Sequence, residues 1–133
     1  MPAVRSYRDL LVWQRAMDIA VSTYQLSQHY PRDELFGLTS QSRRAAASIA
    51  ANIAEGYGRS SRPSYAHFLR IAQGSLKELE THLILAERVG LAARTSTDDL
   101  LAKADELGRM FRALIGKLEK SPQSGEGPVL PNS

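Results

Sequence analysis

Apolar residues recur every three or four positions through four stretches of this chain, with polar residues gathered on other flanks, the mark of amphipathic helices. The spacing predicts helices over about 7–29, 38–55, 63–89 and 97–120. On the first helix one stripe is Leu10, Trp13, Met17, Ala20 and Tyr24, with Val21 beside it, and this is the expected core face. A second stripe of Val12, Ile19 and Leu26 falls at heptad spacing on the opposite side, flanked by Ala16 and Thr23. Three apolar residues away from the core call for a second contact, so this stripe is read as an oligomer interface. Ile71 and Leu85 on the third helix, seven residues either side of Glu78, are read the same way.

The stretch Gln41–Gly56 organises the rest. Its apolar side is Leu38, Ala45, Ile49 and Ile53. A polar stripe of Gln41, Arg44, Ser48, Asn52 and Glu55 runs beside it in steps of three and four, and small residues between the stripes let another backbone approach. Polar groups packed on most sides need partners. Folding the second and third helices antiparallel about the 56–62 loop sets Ser48 near Ser75, Gln41 near His82 and Arg44 opposite Glu78. These residues form the expected structural polar network, with an Arg44–Glu78 ion pair within the chain or across a subunit boundary.

Punctuation supports the four elements. Ser6 with Asp9, and Ser96 with Asp99, are S-x-x-D starts. His29-Tyr30-Pro31 closes the first helix, and a short helical segment follows that Gly37 interrupts. Gly56 is the expected stop after the second helix, Pro63 opens the third and Gly90 ends it. The fourth helix has one apolar face and one charged face. Short loops between four helices give an all-α, up-down-up-down antiparallel bundle over residues 1–120, which the second stripes would assemble into a ring-like homo-oligomer. Residues 121–133 have three prolines and no helical period, and are expected to be disordered.

Composition changes this picture in two ways. The absence of cysteine removes disulfides, zinc thiolates and thiol nucleophiles. With no apolar leader and no run long enough to span a bilayer, the expectation is a cytoplasmic protein with no membrane partner. The net charge of +3 is lopsided: residues 1–62 carry eight basic residues, all arginine, against five acidic ones. Arginine is the better phosphate fork, so Arg5, Arg8, Arg15, Arg43, Arg59 and Arg62 are the candidate contacts to RNA or DNA. Catalytic patterns are missing. There is no Glu-x-x-His pair for a di-metal bundle site, and the Glu78–His82 spacing is a lone one. No phosphate-cradling loop or nucleophile elbow occurs. The reading is a non-enzymatic protein with no cofactor or metal, and the alternative is a protein-interaction scaffold without a nucleic-acid ligand.

Three segments carry a family resemblance: Leu10–Gln14 (L-L-V-W-Q), the run from Pro31 through E-L-F-G-L-T-S-Q-S-R-R-A-A-A-S-I-A-A-N-I-A-E-G, and R-S-S…Y…F-L-x-I-A-x-G-S-L-x-E-L-E-T ending at Thr81. Over residues 5–118 the chain resembles the bacterial four-helix-bundle proteins encoded by intervening sequences in 23S rRNA genes, which carry a ribosomal-protein-like label. The accessory variability proteins of diversity-generating retroelements are similar. The resemblance implies a homopentameric barrel. For a retroelement-associated member it implies a basic surface that binds nucleic acid and a reverse transcriptase.

Overall fold

The computed structural model describes residues 3–120, and the chain ends at positions 1–2 and 121–133, including the tail expected to be disordered, lie outside the described residues. Four helices make the fold: α1 Leu11–Ser27, α2 Ser40–Tyr57, α3 Arg62–Arg88 and α4 Arg94–Lys120. No strand occurs among the described residues. Cross-helix pairs fix the antiparallel order. Ser27 of α1 meets Arg43 of α2, Ser48 of α2 meets Ser75 of α3, Arg70 of α3 meets Glu119 of α4, and Arg15 of α1 meets Glu106 of α4. Ile49, Ile53, Leu69, Leu76, Leu79, Leu83, Leu107, Phe111 and Leu114 fill the space between the helices.

The first helix differs from expectation. Residues Tyr7–Asp9 form a separate turn, capped as the S-x-x-D pattern predicts: Ser6 Oγ accepts from the Arg8 amide at 3.1 Å, and the Asp9 carboxylate accepts from the Ser6 amide at 3.3 Å. Leu10 is then extended, so α1 starts afresh at Leu11. That break resets the helical phase. Val12, Ala16, Ile19, Ala20, Thr23 and Ser27 face the core, while Met17, Val21 and Tyr24 face outward. The stripe read as an interface, Val12 and Ile19 with Leu26 half-buried beside them, is therefore the core face of the monomer. Thr23 and Ser27 tolerate burial because their hydroxyls donate to the Ile19 and Thr23 carbonyls, both at 2.8 Å.

Between α1 and α2, Arg32–Glu34 make one tight turn and Leu35–Thr39 one wide turn. Gly37 interrupts the helix as expected (φ −107°, ψ −117°), and the Glu34 carboxylate accepts from the Leu38 amide at 3.1 Å. Helix α2 runs two residues past its expected end, because Gly56 is not a stop. It is a buried point of close approach to α3. Gly90 does end α3: at φ 83° it takes the left-handed conformation, its amide donates to the Glu87 carbonyl and the Leu91 amide to that of Ala86. The cap on α3 is Ser61, whose Oγ accepts from the Ser64 amide at 3.2 Å, with Pro63 in the first turn of the helix as expected. Helix α4 begins at Arg94, so Ser96 lies inside it rather than at its cap.

Three buried side-chain groups find no hydrogen-bond partner among the described residues, Ser42 Oγ, His82 Nε2 and the Tyr65 hydroxyl, and Tyr65 is the largest of the three side chains. Burial disfavours the phenolate, so its pKa rises well above the ordinary value near 10. As pH climbs past 10 the unfolded chain releases this proton and the folded chain keeps it, so folding stability falls with alkali. Tyr65→Phe should raise stability at neutral pH by about 1 kcal/mol. It should also move the alkaline unfolding midpoint upward in a pH titration followed by circular dichroism. A destabilised variant would show that the hydroxyl is hydrogen-bonded in solution.

Candidate nucleic-acid interface

Antiparallel packing sorts the charged residues by end. The turn before α1, the α2–α3 connection and the last turn of α4 share one end of the bundle. Across residues 5–9, 55–70 and 117–120 that end carries seven basic residues (Arg5, Arg8, Arg59, Arg62, Arg70, Lys117 and Lys120) against three acidic ones (Asp9, Glu55 and Glu119). At the other end, residues 28–44 and 84–99, five basic residues face five acidic ones. Four of the six arginines singled out from sequence thus come together, and the other two do not.

Arg43 and Arg15 are held elsewhere. Arg43 Nε donates to Ser27 Oγ at 2.8 Å, a terminal nitrogen reaches the Tyr24 carbonyl at 3.3 Å, and the guanidinium lies over the Tyr24 ring at 4.6 Å. These contacts tie the guanidinium to the Tyr24 carbonyl and the Ser27 hydroxyl near the end of α1, a structural task that competes with phosphate binding. Arg15 sits in the second turn of α1, level with the middle of α4, 3.5 Å from Glu106.

The clustered residues are partly steered by their neighbours. Arg59 bonds Glu55 at 2.6 Å one turn back and lies over the Phe68 ring at 4.8 Å. Arg8 lies over the Tyr7 ring at 5.2 Å. Such exposed pairs are weak, and phosphate is a better partner than a half-solvated carboxylate. Arg62 is half-buried at the first position of α3. Arg70 and Glu119 hydrogen-bond directly, which holds the guanidinium pKa up and the carboxyl pKa below its usual range. Sequence reasoning missed Arg70, Lys117 and Lys120 as members of this end. The signal was available, because the antiparallel arithmetic used for α2 and α3 also brings the end of α4 to the start of α1.

The polar stripe of α2 splits into three. Ser48 and Ser75 hydroxyls bond at 2.9 Å, as predicted, and Asn52 Nδ2 donates to the Ser48 carbonyl at 2.8 Å and to its hydroxyl at 3.0 Å. Glu55 turns to Arg59. Gln41, Arg44 and Glu78 remain apart: the expected Arg44–Glu78 pair does not form within the chain, and Glu78 lies instead 3.6 Å from His82. At that length no hydrogen bond forms, and His82 Nε2 is buried without one. Among the residues read as interface, Ile71 and Leu85 are exposed on α3, with Ile84 exposed beside Leu85. No helix among the described residues is long and apolar enough to cross a membrane. No group of three or more His, Cys, Asp or Glu residues among them is placed to hold a metal ion.

The model of the 23S rRNA-intervening sequence protein family matches residues 8–113. No curated protein matches. A crystal structure of a protein of unknown function from the S23 ribosomal protein family of Bacteroides thetaiotaomicron is similar at 24% identity, with a TM-score of 0.71 over 79% of this chain and 98% of that one. That likeness bears on the fold.

Proposed function

Since the chain belongs to the 23S rRNA-intervening sequence protein family, we propose that it works as a non-enzymatic oligomer whose arginine-bearing end binds RNA or DNA. The observation that carries this is the concentration of seven basic against three acidic residues at one end of a bundle whose other end is balanced. A ring of parallel copies, a pentamer by family resemblance, multiplies that end into one continuous basic rim. Met17, Val21 and Tyr24, spaced along the outward side of α1, take over the role first given to Val12 and Ile19 as the surface for a neighbouring copy.

Phosphate contact makes binding salt-dependent. If Arg5, Arg8, Arg59 and Arg62 each neutralise one phosphate of duplex DNA, log affinity falls with log salt at a slope of about −3.6. Fluorescence anisotropy across a salt series measures it, and light scattering at low and high salt reports the oligomer. The double variant Arg5→Ala, Arg8→Ala should flatten the slope by about 1.8. A slope near zero in the intact protein would sink the reading.

One observation favours the scaffold alternative. The balanced end is the apolar one: Phe36 is 91% exposed, and Leu35, Tyr24, Ile84, Leu85 and Val89 are exposed around the same end. Salt-insensitive capture of a protein partner, lost in Phe36→Ser, would decide for it.

A further inference from the structure

The α2–α3 groove holds a feature that neither the packing nor the basic end uses. Gln41, Arg44, Ala45 and Ser48 of α2 and Glu78 of α3 line an open cleft of about 520 Å³. The volume falls in the range of small-molecule sites. The walls carry one positive and one negative side chain, and no Glu78 oxygen lies within 4.0 Å of the Arg44 guanidinium. Arg44 and Gln41 make no side-chain hydrogen bond among the described residues, and Arg44 makes no ion pair. Glu78 has only the 3.6 Å approach to His82. One side of the cleft, by contrast, is fixed: the Ser48–Ser75 bond ties the two helices together, and Asn52, one turn along α2, donates to the Ser48 hydroxyl. Ala45 leaves room beside Arg44 where a longer side chain would fill the cleft.

We propose that this cleft binds a small zwitterion of the α-amino acid class, with the carboxylate on Arg44 and Gln41 and the ammonium on Glu78. The charge pattern selects the ligand. Opposite charges held apart across a cleft match a molecule carrying both, in reversed order, within one short frame. A simple anion such as phosphate gains Arg44 but meets the Glu78 carboxylate, and a simple cation meets the reverse. A carboxylate suits the planar guanidinium, which offers two parallel donors. An ammonium finds an acceptor in Glu78, and the Ser48 hydroxyl adds a donor or acceptor in between. The ligand would complete the Arg44–Glu78 link that the chain alone leaves open. The assignment is independent of nucleic-acid binding at the arginine-bearing end.

The test is a titration of the full chain with the standard L-amino acids, each at millimolar concentration, followed through backbone amide signals in nitrogen-edited NMR spectra. At least one should move signals of residues 41–48 and 75–82 saturably. For that compound, Arg44→Ala and Glu78→Ala should each weaken binding by about tenfold or more. The N-acetyl and carboxamide forms should lose as much, each having surrendered one charge. Both side chains are exposed, so both variants fold, and circular dichroism checks this. Inorganic phosphate should leave the same signals in place. The proposal is overturned if no amino acid moves them, if phosphate moves them equally, or if Arg44→Ala leaves the affinity unchanged. A change of solution mass in Arg44→Ala with no response to any amino acid would assign the cleft to subunit contact, and overturns it too.

Discussion

Ile19→Ala is expected to cost the fold about 2–5 kcal/mol, and Val21→Ala less than about 0.5 kcal/mol. The two residues are both aliphatic and stand two positions apart on α1, but Ile19 is 1% exposed and Val21 52%. Truncating Ile19 opens a cavity in the close-packed cluster it belongs to, whose surroundings relax only partly into it. Truncating Val21 removes methyl groups half-exposed on the single chain, so any further cost arises only where copies associate and varies with protein concentration. Urea unfolding measures both, as a shift of midpoint at constant slope. The comparison also separates core from interface. A core residue costs the same at every protein concentration, whereas an interface residue loses stability that mass action restores as concentration rises. Equal costs for the two variants, or a concentration-dependent cost for Ile19→Ala, would return Ile19 to the subunit boundary.

The difference between those two faces shows what the sequence could and could not reveal. Helices α3 and α4 were legible because their apolar faces are wide and made of large residues: Leu69, Leu76, Leu79 and Leu83 on one, Leu107, Phe111, Leu114 and Leu118 on the other. Helix α1 carries two apolar stripes of similar strength, and periodicity alone does not say which one faces inward. Leu10 tipped the reading the wrong way. It is fully buried, but from an extended junction, so its direction does not continue into α1. Thr23 and Ser27 hid the true face further, since residues that satisfy their hydroxyls on their own helix read as polar in sequence and pack as apolar.

The candidate interface was legible in the same partial way. Arginine excess near the loop and the chain start pointed to Arg5, Arg8, Arg59 and Arg62, and the antiparallel fold brings these together. Composition gives no means of seeing that Arg43 is tied to the end of α1, because that task depends on Ser27 and Tyr24 arriving beside it in space. Arg44 and Glu78 show the converse. Register arithmetic set them across from each other correctly enough to line one cleft, but register resolves position along the helices and not the distance between side chains.

Gly56→Ala should destabilise the protein by about 1–3 kcal/mol, while Gly74→Ala should stabilise it by up to about 1 kcal/mol. Both glycines lie within helices, and intrinsic propensity favours alanine over glycine at both. Packing separates them. A Cβ on Gly56 would stand 2.6 Å from Phe68 Cβ, 3.2 Å from Tyr65 Cδ1 and 3.3 Å from the Tyr65 carbonyl oxygen, whereas one on Gly74 meets nothing within 4 Å. Phe68 Cβ is bonded to the α3 backbone and cannot swing aside as a side-chain tip does, so the helices must separate. Separation loosens Ile53 and Leu69, which are fully buried nearby, and the lost dispersion exceeds the propensity gain. Paired thermal and urea unfolding of the two variants measures the contrast. A stabilised Gly56→Ala would mean that α2 and α3 stand farther apart at this end in solution, and that Gly56 serves the turn rather than the packing.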